Sequence, residues 1–522
     1  MEKKHIIPTV IENSASAFAD IPAVRWLVKK ELHERTYKKL DSDRKKVWNA
    51  LAKRGFAGTH ASIIGASSYP WIASYIGLVS GNAVAVPLDI MLPEEELCDL
   101  FNRSDSELLF IDPKLKGMIP TMRSSCPKLK LVVILDEGES DNADGDEITF
   151  ADLIRDASDD PISDEYIPQE DDVCTFIYTS GTTGKSKGVM LTQRNLYDDM
   201  DNVVITAEPG MVMLSVLPIH HAYCLVMDWL MGFSKGATLA INDSLMHMVR
   251  NIGKFQPRIM LMVPLMIETI YKKLASLDPS IPKLEAGKSV FGPNLKTIYS
   301  GGAHLDPYYI DAMAQYGVEI CEGYGMSECS PTISTNGELG NRPGSVGLPL
   351  ANFEVKFENG ELLVRGSSVM KGYYQMPKET EEALKDGWMH TGDLGHIDED
   401  GFLYITGRAK NLIILSNGEN ISPEEIEGAL ALEPLIGEIV VTGENNGLTA
   451  RIYPDYELAE QKGLSADELK DSLQEILDKY NKRQPSYRAL TGLVIRKYPF
   501  LKSSTRKIKR PMAEIDEPPE EE

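Results

Sequence analysis

Ten residues, Thr179 to Gly188, constrain this chain more than any other stretch: they hold three glycines, five hydroxyl side chains and two lysines. The apolar run Cys174-Thr-Phe-Ile-Tyr178 before them has the pattern of a buried strand. Val189-Met-Leu-Thr192 after them reads as another strand, and Thr192 as the N-cap of a helix opening at Gln193. A loop of this composition can turn backbone N–H groups, hydroxyls and ammonium groups toward a polyphosphate. An ordinary Gly/Ser/Thr surface loop is the competing reading, and the density of such residues tells against it.

Gly184-Lys185-Ser186 matches the end of a P-loop, G-x-x-x-x-G-K-[ST], but the first glycine of that pattern falls on Thr179. In a P-loop the Lys-Ser pair also opens a helix, whereas this chain continues into a strand. Strand, phosphate loop and strand is a different device.

Around that loop the first third of the chain alternates strand and helix patterns. Strands are expected at 62–65, 82–88, 108–111 and 131–135, with helices at 69–81 and 93–101; this alternation implies a largely parallel sheet covered on both faces. Residues 137–172 are acidic and polar and read as surface. Strand-like runs recur at 212–217, 259–263 and 295–299. After 350 short alternating strands at 353–357, 360–364 and 401–405 suggest a small antiparallel subdomain. Beyond Arg408 an α+β unit is expected, its helices announced by Ser422-Pro423-Glu424-Glu425 and by Ser465-Ala-Asp-Glu468, both with the spacing of a capping box.

Length and charge narrow the class. At 522 residues the chain exceeds one compact core. A formal net charge of −24 argues against nonspecific nucleic-acid binding. The six cysteines lack paired CxxC spacing, which disfavours a zinc site or disulfide framework and makes a reducing cytoplasm the default. No signal-peptide core and no run approaching the ~20 apolar residues of a membrane span is present.

Four further segments carry chemistry. Ser300-Gly301-Gly302-Ala303-His304 follows a strand, and its glycines would let a flat ring approach the backbone, or simply make a tight turn. Glu322-Gly-Tyr324-Gly325-Met-Ser327-Glu328 offers a stacking ring, then a hydroxyl and a carboxylate suited to phosphate and a hard cation; a turn with a solvated Glu is the alternative. Asp393, after a Thr-Gly turn, suits two hydroxyls, or is a surface Asp. Leu501-Lys-Ser-Ser-Thr-Arg506-Lys507-Ile-Lys-Arg510 reads, unaided, as a solvated basic run.

Taken in order, Tyr178-Thr-Ser-Gly-Thr-Thr-Gly-x-x-Lys-Gly-Val189, Tyr324-Gly-x-Ser-Glu328, Thr391-Gly-Asp393, Gly407-Arg408 and Lys502 to Arg510 resemble the adenylate-forming superfamily of acyl- and aryl-CoA synthetases, nonribosomal adenylation domains and beetle luciferases. The overall texture, including Ser416-Asn-Gly-Glu-Asn-Ile421, looks most like bacterial long-chain fatty acyl-CoA synthetases. Ser186 stands where the family has Pro, Ser327 where it has Thr, and Arg506 where it has Gly.

The resemblance implies an α/β fold with a large N-terminal domain of layered helix–sheet units, a small antiparallel β subdomain and a small mobile C-terminal α+β domain. The domains would be 1–407 and 411–522, joined by a hinge at 408–410 centred on Lys410. It implies ATP, Mg²⁺ and coenzyme A, the last as a substrate. Thr179, Ser180, Gly181, Thr182, Thr183, Gly184 and Lys187 would hold phosphates; Gly302 and Ala303 would lie along adenine and Tyr324 and Gly325 beside it. Ser327 would meet phosphate, Glu328 the metal, and Asp393 with Arg408 the ribose. Lys507 would contact the carboxylate and α-phosphate, Asn417-Gly418 would enter for the CoA step, and His221, in Pro218-Ile-His-His221, would stand at the acyl pocket, where a satisfied core position is the alternative. Met227, Trp229, Met231, Met260 and Met262 would line an apolar tunnel or be core, core being preferred residue by residue.

The expected activity is thus an acid–CoA ligase acting through acyl-AMP on medium- to long-chain fatty acids. An enzyme loading an acyl or aryl acid onto a carrier protein is the alternative, and peripheral membrane contact is left open.

Overall fold

The computed structural model describes residues 4–138, 145–179, 185–415, 419–444, 447–502 and 508–518. The chain divides into two compact units, one of residues 1–355, 364–389 and 400–402 and one of residues 356–363, 390–399 and 403–522.

In the first unit, the alternation read between 62 and 135 becomes strands His60–Ile64, Val84–Leu88, Ser106–Ile111 and Leu131–Ile134, all parallel. Helices Tyr69–Ser80 and Glu94–Arg103 connect them. Tyr69–Ser80 is buried along its whole length, as its nearly unbroken apolar sequence requires, and Ser68 caps it by accepting the Trp71 N–H at 3.3 Å. The acidic stretch expected to be only surface instead adds a parallel edge strand, Glu147–Thr149, and a short helix, Phe150–Arg155. Thr149 and Asp152 cap that helix reciprocally, and it buries Phe150 and Leu153. Those few apolar residues were too sparse to make a readable period.

On its other side this sheet turns antiparallel. Val173–Thr179 lies beside Val84–Leu88 and pairs with Lys187–Thr192, which in turn pairs with Gly372–Tyr373. The unit's other large sheet has nine strands, in the order Leu348–Pro349, Thr332–Thr335, Glu319–Gly325, Thr297–Ser300, Ile259–Met262, Val212–Ser215, Thr238–Ile241, Pro22–Val28 and Glu31–Thr36. Its central strands are parallel, so their C-terminal ends share one edge, the edge at which open α/β sheets bind ligands.

The small antiparallel sheet is formed by Phe353–Glu358, Glu361–Gly366, Trp388–Ile397, Leu384–Lys385 and Leu403–Arg408. The second unit has a three-stranded sheet, Ile436–Glu444, Gly447–Pro454 and Leu490–Ile495, covered by Pro423–Ala431 and Ala466–Asn481. Ser465 and Glu468 form the expected capping box. Ser422 is the N-cap residue but makes no capping bond: its hydroxyl donates to the Thr406 carbonyl at 2.8 Å and Glu424 Oε2 at 3.1 Å, while Asn411 holds Glu424 Oε1 at 2.6 Å. Tertiary partners outcompete the local box there.

The turn at residues 510–515 is held by a buried cation. Arg496, 1% exposed, donates to the carbonyls of Tyr498, Ala513 and Ile515 at 3.1, 2.6 and 2.5 Å, and its guanidinium lies 4.1 Å from the Phe500 ring centroid. Arg496→Ala would strand these carbonyls. It is expected to destabilise the second unit by about 3 kcal/mol in denaturant unfolding and to speed proteolysis after residue 500; a loss below about 0.5 kcal/mol would contradict this.

Candidate active site

The hairpin of strands Val173–Thr179 and Lys187–Thr192 fixes the first part of the candidate site. Thr179 and Lys187 face each other as its last antiparallel pair before the loop. Ser180, Gly181, Thr182, Thr183 and Gly184 lie outside the described residues. The chain continues into strand, and helix Gln193–Asn202 opens only after Thr192, reciprocally capped by Thr192 and Asn195. This is the strand–loop–strand arrangement read from the sequence. Arg103, which carried no sequence signal, reaches the base of the loop: Nη2 donates to the Ser186 carbonyl at 2.6 Å.

Glu328 sits in a 3₁₀ turn, Ser327–Cys329, and is 8% exposed. Tyr373, 6% exposed, donates its phenol to Glu328 Oε1 at 2.8 Å, and Lys187 Nζ lies 4.7 Å from the Tyr373 ring centroid. Burial first, then the Glu328 charge, push the Tyr373 pKa far above the ordinary phenol value, so it stays a donor. Sequence reasoning missed Tyr373, because Lys371-Gly-Tyr-Tyr374 matches none of the motifs read there. Among the described residues no three His, Cys, Asp or Glu side chains form a metal cage. A single carboxylate nonetheless fits Mg²⁺, which keeps waters and phosphate oxygens as its other ligands.

The adenine candidates lie where two parallel strands end. Ser300 and Glu322 are register partners on Thr297–Ser300 and Glu319–Gly325. At Gly301 a Cβ would come 2.9 Å from the Tyr223 ring, whose hydroxyl donates to the Tyr299 carbonyl at 3.0 Å; Gly302 has φ +85°. The glycine pair is therefore required by a close approach and a left-handed turn. Ala303 follows, exposed. Gly325 is a second enforced glycine, since a Cβ there would meet the Pro331 carbonyl oxygen at 1.8 Å. Tyr324, between Gly323 and Gly325, is half-buried, as is Ser327. Beneath them Glu322 is 3% exposed. Burial pushes its pKa up to about 7, against the pull of the Leu305 and Gly344 N–H groups.

His220 and His221 lie side by side, ring centroids 4.1 Å apart, with His220 Nε2 3.5 Å from Asp89 Oδ2. His221 is half-buried. They precede a buried π-helix, Tyr223–Leu230, a form enriched at functional sites. Met227, Trp229, Met231, Met260 and Met262 are all buried in the core, Trp229 packing beside Trp71, Tyr75, Ile219 and Leu225 with no gap between them wide enough for a water molecule.

In the second unit Asp393 and Arg408 are cross-strand partners. Arg408 Nε donates to Asp393 Oδ1 at 2.5 Å, and Asp393 is 4% exposed. The turn before Asp393 is fixed by Glu361, which accepts the Gly392 N–H at 2.9 Å, and by Thr391, whose hydroxyl donates to the Leu362 carbonyl at 2.8 Å. Lys410 lies in the exposed 3₁₀ turn Ala409–Asn411. Asn417, Gly418 and Lys507 lie outside the described residues; the residues flanking Lys507 pair as Lys502 with Ile508, and Glu438 accepts from Phe500 N at 2.8 Å and Lys502 Nζ at 2.5 Å.

The family model described as AMP-binding enzyme matches residues 11–374, and the AMP-binding enzyme C-terminal domain matches 410–515. A long-chain-fatty-acid–CoA ligase of Mycobacterium bovis is 29% identical over 432 residues, covering 74% of this chain and 71% of that protein. One of Bacillus subtilis is 28% identical over 477 residues, covering 84% and 82%. The crystal structure of the anthranilate CoA ligase AuaEII in complex with anthranoyl-AMP has the same fold, with TM-score 0.83 at 21% identity over 98% of this chain and 96% of that one. The chain belongs to the AMP-binding enzyme family.

Glu322 gives this site a pH signature. Its proton is held to about 7 folded and about 4.5 unfolded, so its contribution to stability is full below 4.5 and lost as pH rises through 7. Glu322→Gln is expected to gain stability relative to wild type between pH 4.5 and 8 by about 1–3 kcal/mol in urea unfolding. An equal difference at both pH values would contradict the burial argument.

Proposed function

We propose, with that membership as premise, that the chain is an AMP-forming acid–CoA ligase acting on medium- to long-chain fatty acids. The observation that carries the reading is the joining of Lys187 and Glu328 through Tyr373 at the mouth of the phosphate-loop hairpin. Fatty acids are favoured because the curated relatives are named for them.

In the first step a carboxylate oxygen of the acid attacks the α-phosphorus of ATP. The bond to the β-phosphate breaks, pyrophosphate leaves, and acyl-AMP remains. The residues Thr179 to Gly184 and Lys187 hold the departing phosphates, Ser327 contacts phosphate, and Lys507 steadies the charge shared by carboxylate and α-phosphate. Glu328 would hold Mg²⁺, which when bound neutralises phosphate charge. Gly302, Ala303, Tyr324 and Gly325 receive the adenine, and Asp393 with Arg408 receives the ribose. His221 stands at the acid. Reorientation about Lys410, between parts 1–407 and 411–522, then exchanges Lys507 for the Asn417–Gly418 loop. The CoA thiolate attacks the acyl carbonyl, the thioester forms, and AMP leaves with the former carboxylate oxygen. The six cysteines are free thiols and no helix among the described residues is long and apolar enough to span a membrane; both are compatible with a cytoplasmic enzyme.

The test is acid-dependent ATP–pyrophosphate exchange over fatty and aromatic acids, repeated with CoA. Exchange with C8–C18 acids and AMP release on adding CoA are expected; exchange that needs a carrier protein for turnover would favour the loading enzyme. Lys507→Ala is expected to cut exchange by about 100-fold or more while leaving thioester formation from supplied acyl-AMP roughly unchanged. Equal loss of both steps would remove Lys507 from its role.

A further inference from the structure

We propose that Tyr373 is a positioning residue that sets the Mg²⁺ dependence of the site by keeping Glu328 and Lys187 apart and each aimed at its own ligand. The inference rests on the ligase reading. Its basis is the two-sided use of one buried ring. The hydroxyl edge takes Glu328 Oε1 at 2.8 Å, and the face lies 4.7 Å from the Lys187 ammonium. A carboxylate and an ammonium that contact the same side chain would otherwise be drawn into an ion pair, and each would then be lost to its ligand. No ion pair joins Lys187 and Glu328 among the described residues; the phenol hydrogen bond and the cation–π contact stand in its place.

The ring is buried, and the main chain that carries it is fixed. Gly372 and Tyr373 pair in register with Met190 and Val189, and the Tyr373 N–H donates to Thr380 Oγ1 at 2.9 Å. Met370 N–H, three residues earlier, donates to the Glu328 carbonyl at 2.8 Å. One oxygen of the carboxylate is thus committed to the phenol, leaving Oε2 as the oxygen for a cation. Groups that orient a metal ligand in this way typically govern metal affinity by about 10–100-fold.

Two variants separate the two uses. Tyr373→Phe removes the hydroxyl and keeps the ring; Tyr373→Leu removes both. Calorimetric titration of ATP into the full chain, with Mg²⁺ and with chelator, gives the factor by which the metal strengthens ATP binding. Tyr373→Phe is expected to lower that factor by about tenfold with chelator-condition affinity changed less than about twofold. Tyr373→Leu should in addition weaken metal-free ATP, because Lys187 loses its seat. In the exchange assay, Tyr373→Phe should need about tenfold more Mg²⁺ for half-maximal rate and recover at saturating Mg²⁺. An unchanged metal factor in Tyr373→Phe, or an equal loss with and without metal, overturns the proposal. Wild-type protein whose ATP affinity ignores Mg²⁺ overturns it as well, and absent exchange with every acid would instead fell the ligase reading. Unliganded thermal unfolding of Tyr373→Phe within a few degrees of wild type excludes a folding defect.

Discussion

The segment from Met370 to Tyr374 ties the two halves of the proposed phosphate site to each other with backbone hydrogen bonds as well as with the Tyr373 side chain. Met370 N–H reaches the Glu328 carbonyl at 2.8 Å, Lys371 N–H the Met190 carbonyl at 3.0 Å, and Tyr374 N–H the Gly188 carbonyl at 2.8 Å. Each such bond is worth only about 1 kcal/mol net, so the consequence is geometric rather than energetic. The hairpin that presents Thr179 and Lys187 and the turn that presents Glu328 are held at one spacing before any substrate arrives. Preorganisation of that kind is what stabilises charge in a transition state, because no reorganisation remains to be done.

The same economy governs the second unit, where buried charges are paired to fix backbone. Arg408 compensates the buried Asp393 across two strands, and Glu361 and Thr391 hold the turn that aims it. Arg496 gathers three carbonyls from two segments, while Glu438 holds Phe500 and Lys502 at the start of the basic run. Glu328 and Lys187 are thus placed by Tyr373, and the turn before Asp393 by Glu361 and Thr391, none of which has a proposed contact with ligand.

What was legible in the sequence was what period and composition encode. The parallel strands from His60 to Ile134 and the fully buried helix Tyr69–Ser80 were readable because their apolar runs are unbroken. The strand after the phosphate loop was readable from Val189-Met-Leu, and it separated this loop from a P-loop. The strand Glu147–Thr149 was not, because one buried Ile beside Thr149 and Phe150 makes no period among acidic neighbours. Tyr373, Arg103 and Glu322 were invisible as site residues for a different reason. Their significance lies in partners 45, 83 and 17 residues away, which no local pattern records. The Ser422 box was overread, since spacing alone cannot show that the hydroxyl will prefer Thr406.

In the proposed reaction the bond broken is at the α-phosphate, and the hairpin holds the group that leaves. Isotope transfer tests it most directly. A fatty acid labelled with ¹⁸O in its carboxylate, turned over with ATP and CoA, should deliver one labelled oxygen to AMP and none to pyrophosphate. Label appearing in inorganic phosphate beside ADP, as attack on the γ-phosphorus would give, would contradict the account.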